Sequence, residues 1–166
     1  MFDIGDYIVY GQNGICKVEA ITHPEIKGVD NSRLYYVLIP EKTKGGKLFC
    51  PADNDRIVIR KVISADEARQ IIEESKTIEP LEIANERGRD DCYKQTIKSC
   101  DPRLSISMLK TLLQRKKERE DSGKKITATD ERYLKQTEEG LFTELSIAIG
   151  ISKDEVKEIM LSNFGK

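Results

Sequence analysis

Few side chains in this sequence are equipped for covalent or acid–base chemistry. There is one histidine, His23, directly before Pro24, and there are four cysteines, Cys16, Cys50, Cys92 and Cys100. The cysteines are widely spaced and contain no C-x-x-C pair, so with a single histidine they do not make a zinc template. Four reduced, partly buried thiols and a surface histidine are the expectation. A lone histidine with no nearby nucleophile does not supply a catalytic triad. The glycines form neither G-x-x-x-x-G-K nor G-x-G-x-x-G, and Gly5, Gly11 and Gly14 fall in β turns with no helix after them. The acidic pairs Asp53/Asp55 and Asp90/Asp91 read as surface charge. The residues therefore predict no catalytic residue, metal site or cofactor and no small-molecule substrate. They predict a binding protein rather than an enzyme.

Binding chemistry has to come from charge and from backbone edges. The formal net charge is −1, which argues against a wholesale polyanion binder, yet the cations are unevenly spread. Residues 103–125 hold eight basic and three acidic side chains. Arg87, Arg89, Lys94 and Lys98 come just before them. Arg87, Lys94 and Lys98 lie seven and four residues apart, a spacing that lets them share one face of a helix. Arginine and lysine are the usual phosphate contacts. A basic face interleaved with Glu86, Asp90 and Asp91 is equally a solvated helix surface, and the residues by themselves leave both readings open.

The elements that must position these groups change character at Ser64. Before it the pattern is β-like: Tyr7–Tyr10 and 15–21 flank a Gly-bounded reversal, with Cys16, Val18 and Ala20 as the apolar side of the second run. A turn-rich loop over 23–31 leads to the apolar run 34–39, ended by Pro40. A reversal over 41–46, a short strand over 47–50 stopped by Pro51, and a fifth candidate over 56–62 complete the set. Five short strands in about 60 residues predict a strongly bent sheet, a small β-barrel of Tudor or SH3 type. An open edge on such a sheet offers strand addition to a partner.

After Ser64 the period becomes helical. Ser64-Ala65-Asp66-Glu67 and Ser152-Lys153-Asp154-Glu155 are capping boxes, and Asp101-Pro102 is an N-cap followed by proline at the first helical position. Helices are expected from Ser64 to before Pro80, from about 83 to 99 and from 102 to about 121. Two more are expected, from Thr127 or Thr129 to Gly150 and from Ser152 onward. The third buries a stripe of Leu104, Met108, Leu109, Leu112 and Leu113, and the last a stripe of Val156, Ile159 and Met160. The expected fold is an α+β two-domain protein, a Tudor/SH3-like small β-barrel over 1–63 followed by an all-α helical domain over 64–166. No apolar run approaches the ~20 residues of a membrane span. Met1-Phe2-Asp3 has no secretory character, so a cytoplasmic protein is expected.

The 5–21 hairpin, Ile26-Lys27-Gly28, Tyr35-Tyr36-Val37-Leu38, Pro51-Ala52-Asp53-Asn54, Ile59-Arg60-Lys61-Val62 and the helical tail together carry a family likeness. In these stretches the chain resembles the CarD/CdnL-type bacterial transcription regulators, which share their polymerase-interacting module with the transcription-repair coupling factor. The resemblance implies that an edge strand of the barrel docks on the RNA polymerase β subunit, with contacts near Ile26, Lys27, Leu48 and Phe49. It further implies that the helical domain meets promoter DNA at the upstream fork without reading sequence, through Arg87, Arg89, Lys94 and Lys98, and stabilises the open complex. Actinobacterial members insert a tryptophan wedge there. This chain contains no Trp, its matching position falls near Asn85 and Glu86, and Phe49 stands where the family can be basic. An adaptor that docks on polymerase or another partner without touching DNA is the alternative.

Overall fold

The computed structural model describes residues 1–43 and 45–165; the expected reversal over 41–46 includes Lys44, which lies outside the described residues. The chain divides into two units, Met1–Val62 and Ile63–Lys166.

The first unit is one antiparallel sheet of β1 (Tyr7–Tyr10), β2 (Ile15–Thr22), β3 (Tyr35–Pro40), β4 (Leu48–Pro51) and β5 (Ile59–Lys61), in the order β4-β3-β2-β1-β5. It is open: β4 and β5 form its two edges, and among the described residues no ladder joins them. Barrel closure by hydrogen bonding is thus not seen. The fifth strand is also shorter than expected, because Asn54 gathers the residues before it into a loop. Its Oδ1 accepts from the amides of Arg56 and Ile57, while its Nδ2 donates to the Ile57 carbonyl.

One face of the sheet carries the core of Ile8, Tyr10, Cys16, Val18, Tyr36, Leu38 and Cys50. Cys16 and Val18 are fully buried, but Ala20 is not the next core residue. The β2–β3 register slips between Val18 and Ala20, so Ile21 rather than Ala20 comes opposite the core residue Tyr36 and packs on the cluster. A bulge inserts one extra residue and so reverses which side chains face in. The reversal between β1 and β2 is a single 3-10 turn, Gly11–Asn13, followed by Gly14 at φ 70°.

The second unit contains α1 (Ala65–Glu74), α2 (Arg89–Ser99), α3 (Pro102–Asp121), α4 (Ala128–Ile149) and α5 (Lys153–Phe164). Ser64, Asp101, Thr127 and Ser152 each cap a helix by accepting a backbone amide in its first turn. Cys100 and Gly150 close α2 and α4 in the left-handed conformation. The helix expected from about 83 is shortened at its start. Asn85 accepts from the Gly88 amide, residues 86–88 form a 3-10 turn, and the α-helix begins only at Arg89. A side-chain oxygen at Asn85 competes for the backbone donor that a longer helix would use.

The core joins all five helices, with Ile71, Tyr93, Ile106, Met108, Leu109, Leu112, Leu145, Val156 and Met160 fully buried. Two expected core positions are instead exposed. Leu104 is 40% exposed in the first turn of α3 while Ile106 is buried, because α3 packs against both α2 and α4 and so buries more than one stripe. Ile159 is 39% exposed, and Asn163 completes the buried stripe of α5. Its amide donates to the Ile72 carbonyl at 2.9 Å and to Ser75 Oγ at 3.2 Å, satisfying the end of α1 that an apolar residue would leave orphaned. Between α1 and α3, Arg103 Nε donates to Glu74 at 2.6 Å and holds that carboxyl below its ordinary range.

Cys16, Cys50 and Cys100 are buried and Cys92 is half-buried. Burial pushes the Cys16 thiol up to about 11, which suppresses the reactive thiolate. Labelling of the native chain with an aromatic disulfide reagent at neutral pH should therefore modify Cys92 first. Cys16 and Cys50 should react only on the timescale of unfolding, as peptide mapping would show; equal rates at all four would contradict the packing.

Candidate functional site

The two sheet edges differ in chemistry. The Ala52 amide donates to the Leu34 carbonyl at 2.8 Å, which sets the phase of the β3–β4 ladder. Leu48 and Cys50 thus turn their backbone groups to β3, and Phe49 turns its N–H and C=O outward. The Leu48 and Cys50 side chains pack on the core, whereas Phe49 lies half-buried on the opposite face across from Val37. Leu48–Pro51 contains no charge. At the other edge β5 carries Arg60 and Lys61, and the Arg60 guanidinium donates to the Lys61 carbonyl at 3.0 Å, covering part of the edge. Charged side chains are a usual protection against edge pairing. Of the two edges, β4 is therefore the better suited to receive a partner strand.

Ile26 and Lys27 are exposed in the β2–β3 loop, in a turn closed by the Val29 amide on the Ile26 carbonyl with Gly28 at φ 89°. The same loop is tied to the turn after β4 by Arg33, whose guanidinium meets Asp53 at 2.5 Å. Among the described residues no hydrogen bond or ion pair links Ile26 or Lys27 to Leu48 or Phe49. Ile57 and Val58, beside the β5 edge, are 43% and 44% exposed. They are apolar surface that the sequence pattern assigns to a strand.

The four basic candidates of the helical unit are treated unequally. Arg87 is exposed, but in the 3-10 turn rather than on α2, so its spacing does not place it on the α2 face with Lys94 and Lys98. Lys98 is exposed in the last turn of α2. Lys94 pairs with Asp90 at 2.9 Å, and Asp90 also accepts the Tyr133 hydroxyl at 2.7 Å. The Lys94 and Tyr133 hydrogen bonds hold Asp90 below its ordinary range, so it is a bonded group rather than plain surface charge.

Arg89 is drawn inward. With its side chain only 17% exposed, it pairs with Glu86 and approaches Asp130 of α4 at 3.8 Å. Arg115 of α3 completes the cluster, with Nε 2.9 Å from the other Asp130 oxygen and Nη1 3.3 Å from Glu86. The Asp130 side chain is fully buried, and next to it the Tyr93 hydroxyl is pushed up to about 12 by burial and by the Asp130 charge. Sequence reasoning missed this cluster. Residues 86, 89, 115 and 130 come from four elements, and no local spacing announces their meeting. The one signal was an aspartate in the first turn of a helix otherwise read for its apolar face.

The N-terminal unit is thus a small sheet with one uncharged edge, and the helical unit carries scattered surface cations. Residues 2–63 match the family model of the CarD-like/TRCF RID domain, so the N-terminal unit is similar to a CarD-like RID domain. The match ends at Ile63, one residue before the cap of α1. No curated protein matches the chain. No described helix is long and apolar enough to cross a membrane.

Proposed function

We propose that this chain is a bacterial transcription regulator, acting in the cytoplasm without catalysing a reaction. Its β4 edge docks on the RNA polymerase β subunit by strand addition, and its helical unit stabilises the open promoter complex through non-sequence-specific contacts at the upstream fork. The observation that carries the reading is the match of residues 2–63 to a polymerase-interacting domain, on a sheet whose β4 edge is uncharged. Five antiparallel strands in the order β4-β3-β2-β1-β5 are compatible with a Tudor-like module. Docking explains why a net charge of −1 suffices: tethering supplies a high local concentration, so DNA contacts need be few. The test is co-purification of the full chain with β subunit; a chain that does not associate would overturn the reading.

The second reading is an adaptor whose helices bind a protein instead of DNA. It is favoured by the pairing of Arg89 with the buried Asp130 and of Lys94 with Asp90 on the same helix, and by the absence of Trp for a wedge. The double variant Arg87→Ala/Lys94→Ala separates the two. Under the regulator reading, promoter complexes decay faster while β-subunit affinity is unchanged, and the salt dependence flattens by about one unit of slope for each phosphate deprived of its cation. Equal lifetimes for variant and parent would favour the adaptor.

A further inference from the structure

We propose that Arg89 and Arg115 form a phosphate-binding site that Glu86 occupies as a built-in competitor. The fully buried Asp130 carboxylate lies beneath both guanidiniums: Arg115 Nε donates to it at 2.9 Å, and Arg89 Nε approaches its other oxygen at 3.8 Å without a hydrogen bond. Each turns an Nη1 group to the same Glu86 carboxylate. Asp130 balances one of the two positive charges and Glu86 the other.

The two acids differ in how easily they can leave. Asp130 has no path to water, whereas the Glu86 side chain is 73% exposed, and an ion pair at that exposure is worth little. Two forked guanidiniums converging on one carboxylate match a phosphate, which offers more oxygens in the same geometry. The site opens on a cleft of about 370 Å³, lined also by Pro80, Ile83, Ala84 and Gln114, with room for whatever carries the phosphate. Glu118 lines the cleft as well. Its charge weakens anion binding without removing the clamp, so the site is expected to be weak in the parent chain. The ligand is a phosphate group, borne either by a DNA backbone or by a small molecule. Arg115 lies outside the DNA contacts proposed above, and the site does not depend on polymerase docking.

The test uses the full chain and its Glu86→Gln variant, titrated with inorganic phosphate, thymidine monophosphate and forked DNA while the arginine Nε resonances are followed. Glu86→Gln keeps size and hydrogen bonding at an exposed position. It should shift the Arg89 and Arg115 signals at about fivefold lower phosphate concentration than the parent, the factor of one displaced surface ion pair. Arg115→Ala would strand Asp130 and endanger folding. Arg115→Lys keeps Asp130 paired but removes the fork, so in the Glu86→Gln background it should cancel the gain. A matching gain with forked DNA identifies the source as nucleic acid, and one confined to the mononucleotide identifies a small phosphate ester. Identical titrations for variant and parent would overturn the site, as would shifts at other arginines only. A response to inorganic phosphate without either of the others marks an adventitious ion only and also overturns it.

Discussion

Replacing Asp130 by alanine is expected to destabilise the helical unit by about 3 kcal/mol, the lower end of what removing one partner from a buried ion pair costs. Its carboxylate is fully buried between the α2 and α3 arginines, whose side chains are 17% and 26% exposed. Without it, two positive charges remain close together, sharing only the exposed Glu86. That residual partner and the partial exposure keep the effect at the low end. Asp130→Asn, which retains an acceptor but no charge, should lose less. Urea unfolding followed by far-ultraviolet circular dichroism measures both, and the exposed Asp91→Ala, within about 0.5 kcal/mol of the parent, serves as the reference. An Asp130→Ala chain as stable as that reference would mean that the cluster does not hold α2, α3 and α4 together.

Phe49→Pro should lower affinity for the polymerase β subunit at least tenfold, a loss of about 1.4 kcal/mol or more, and leave the sheet folded. The ladder phase turns the Phe49 amide away from β3, so proline there removes a donor that only an added strand would use. Cys50→Pro is the structural contrast. The register directs its amide to Tyr36, and its fully buried side chain sits in the core, so that substitution should unfold the sheet. Binding of the full chains to immobilised β subunit, alongside thermal melts, separates the outcomes. A folded Phe49→Pro chain with parental affinity would remove β4 as the docking edge.

Both experiments turn on groups whose neighbours are distant in the chain, and the same distinction governs what the linear pattern reveals. Much of the structure that is set by residues within a few positions of one another was readable from that pattern. The caps at Ser64, Asp101 and Ser152, the stop at Gly150, and the change from period two to helical period all depend on local hydrogen bonds and backbone preference, and the structure decides for Thr127 over Thr129 at the start of α4. The Asn85 cap was equally local. The helix was expected from about 83, whereas the asparagine side chain holds a 3-10 turn over 86–88.

Tertiary packing governs the rest. The β2 bulge that trades Ala20 for Ile21 is a matter of registering two strands, and Asn163 replaces Ile159 in the core because the end of α1 needs a donor. The fate of the basic residues shows the limit most clearly. As sequence, Arg87, Arg89, Lys94 and Lys98 are four equivalent cations. In the fold, Arg87 and Lys98 remain exposed, Lys94 is paired with Asp90, and Arg89 is turned onto Asp130. The layout, a small sheet followed by helices, was legible in the linear chain, because period and caps are local quantities. Which charges are spent inside the molecule, and which edge is left uncharged and unpaired, emerged with the three-dimensional packing alone. Those depend on the partners that folding brings within a few ångströms, and sequence spacing does not encode that distance.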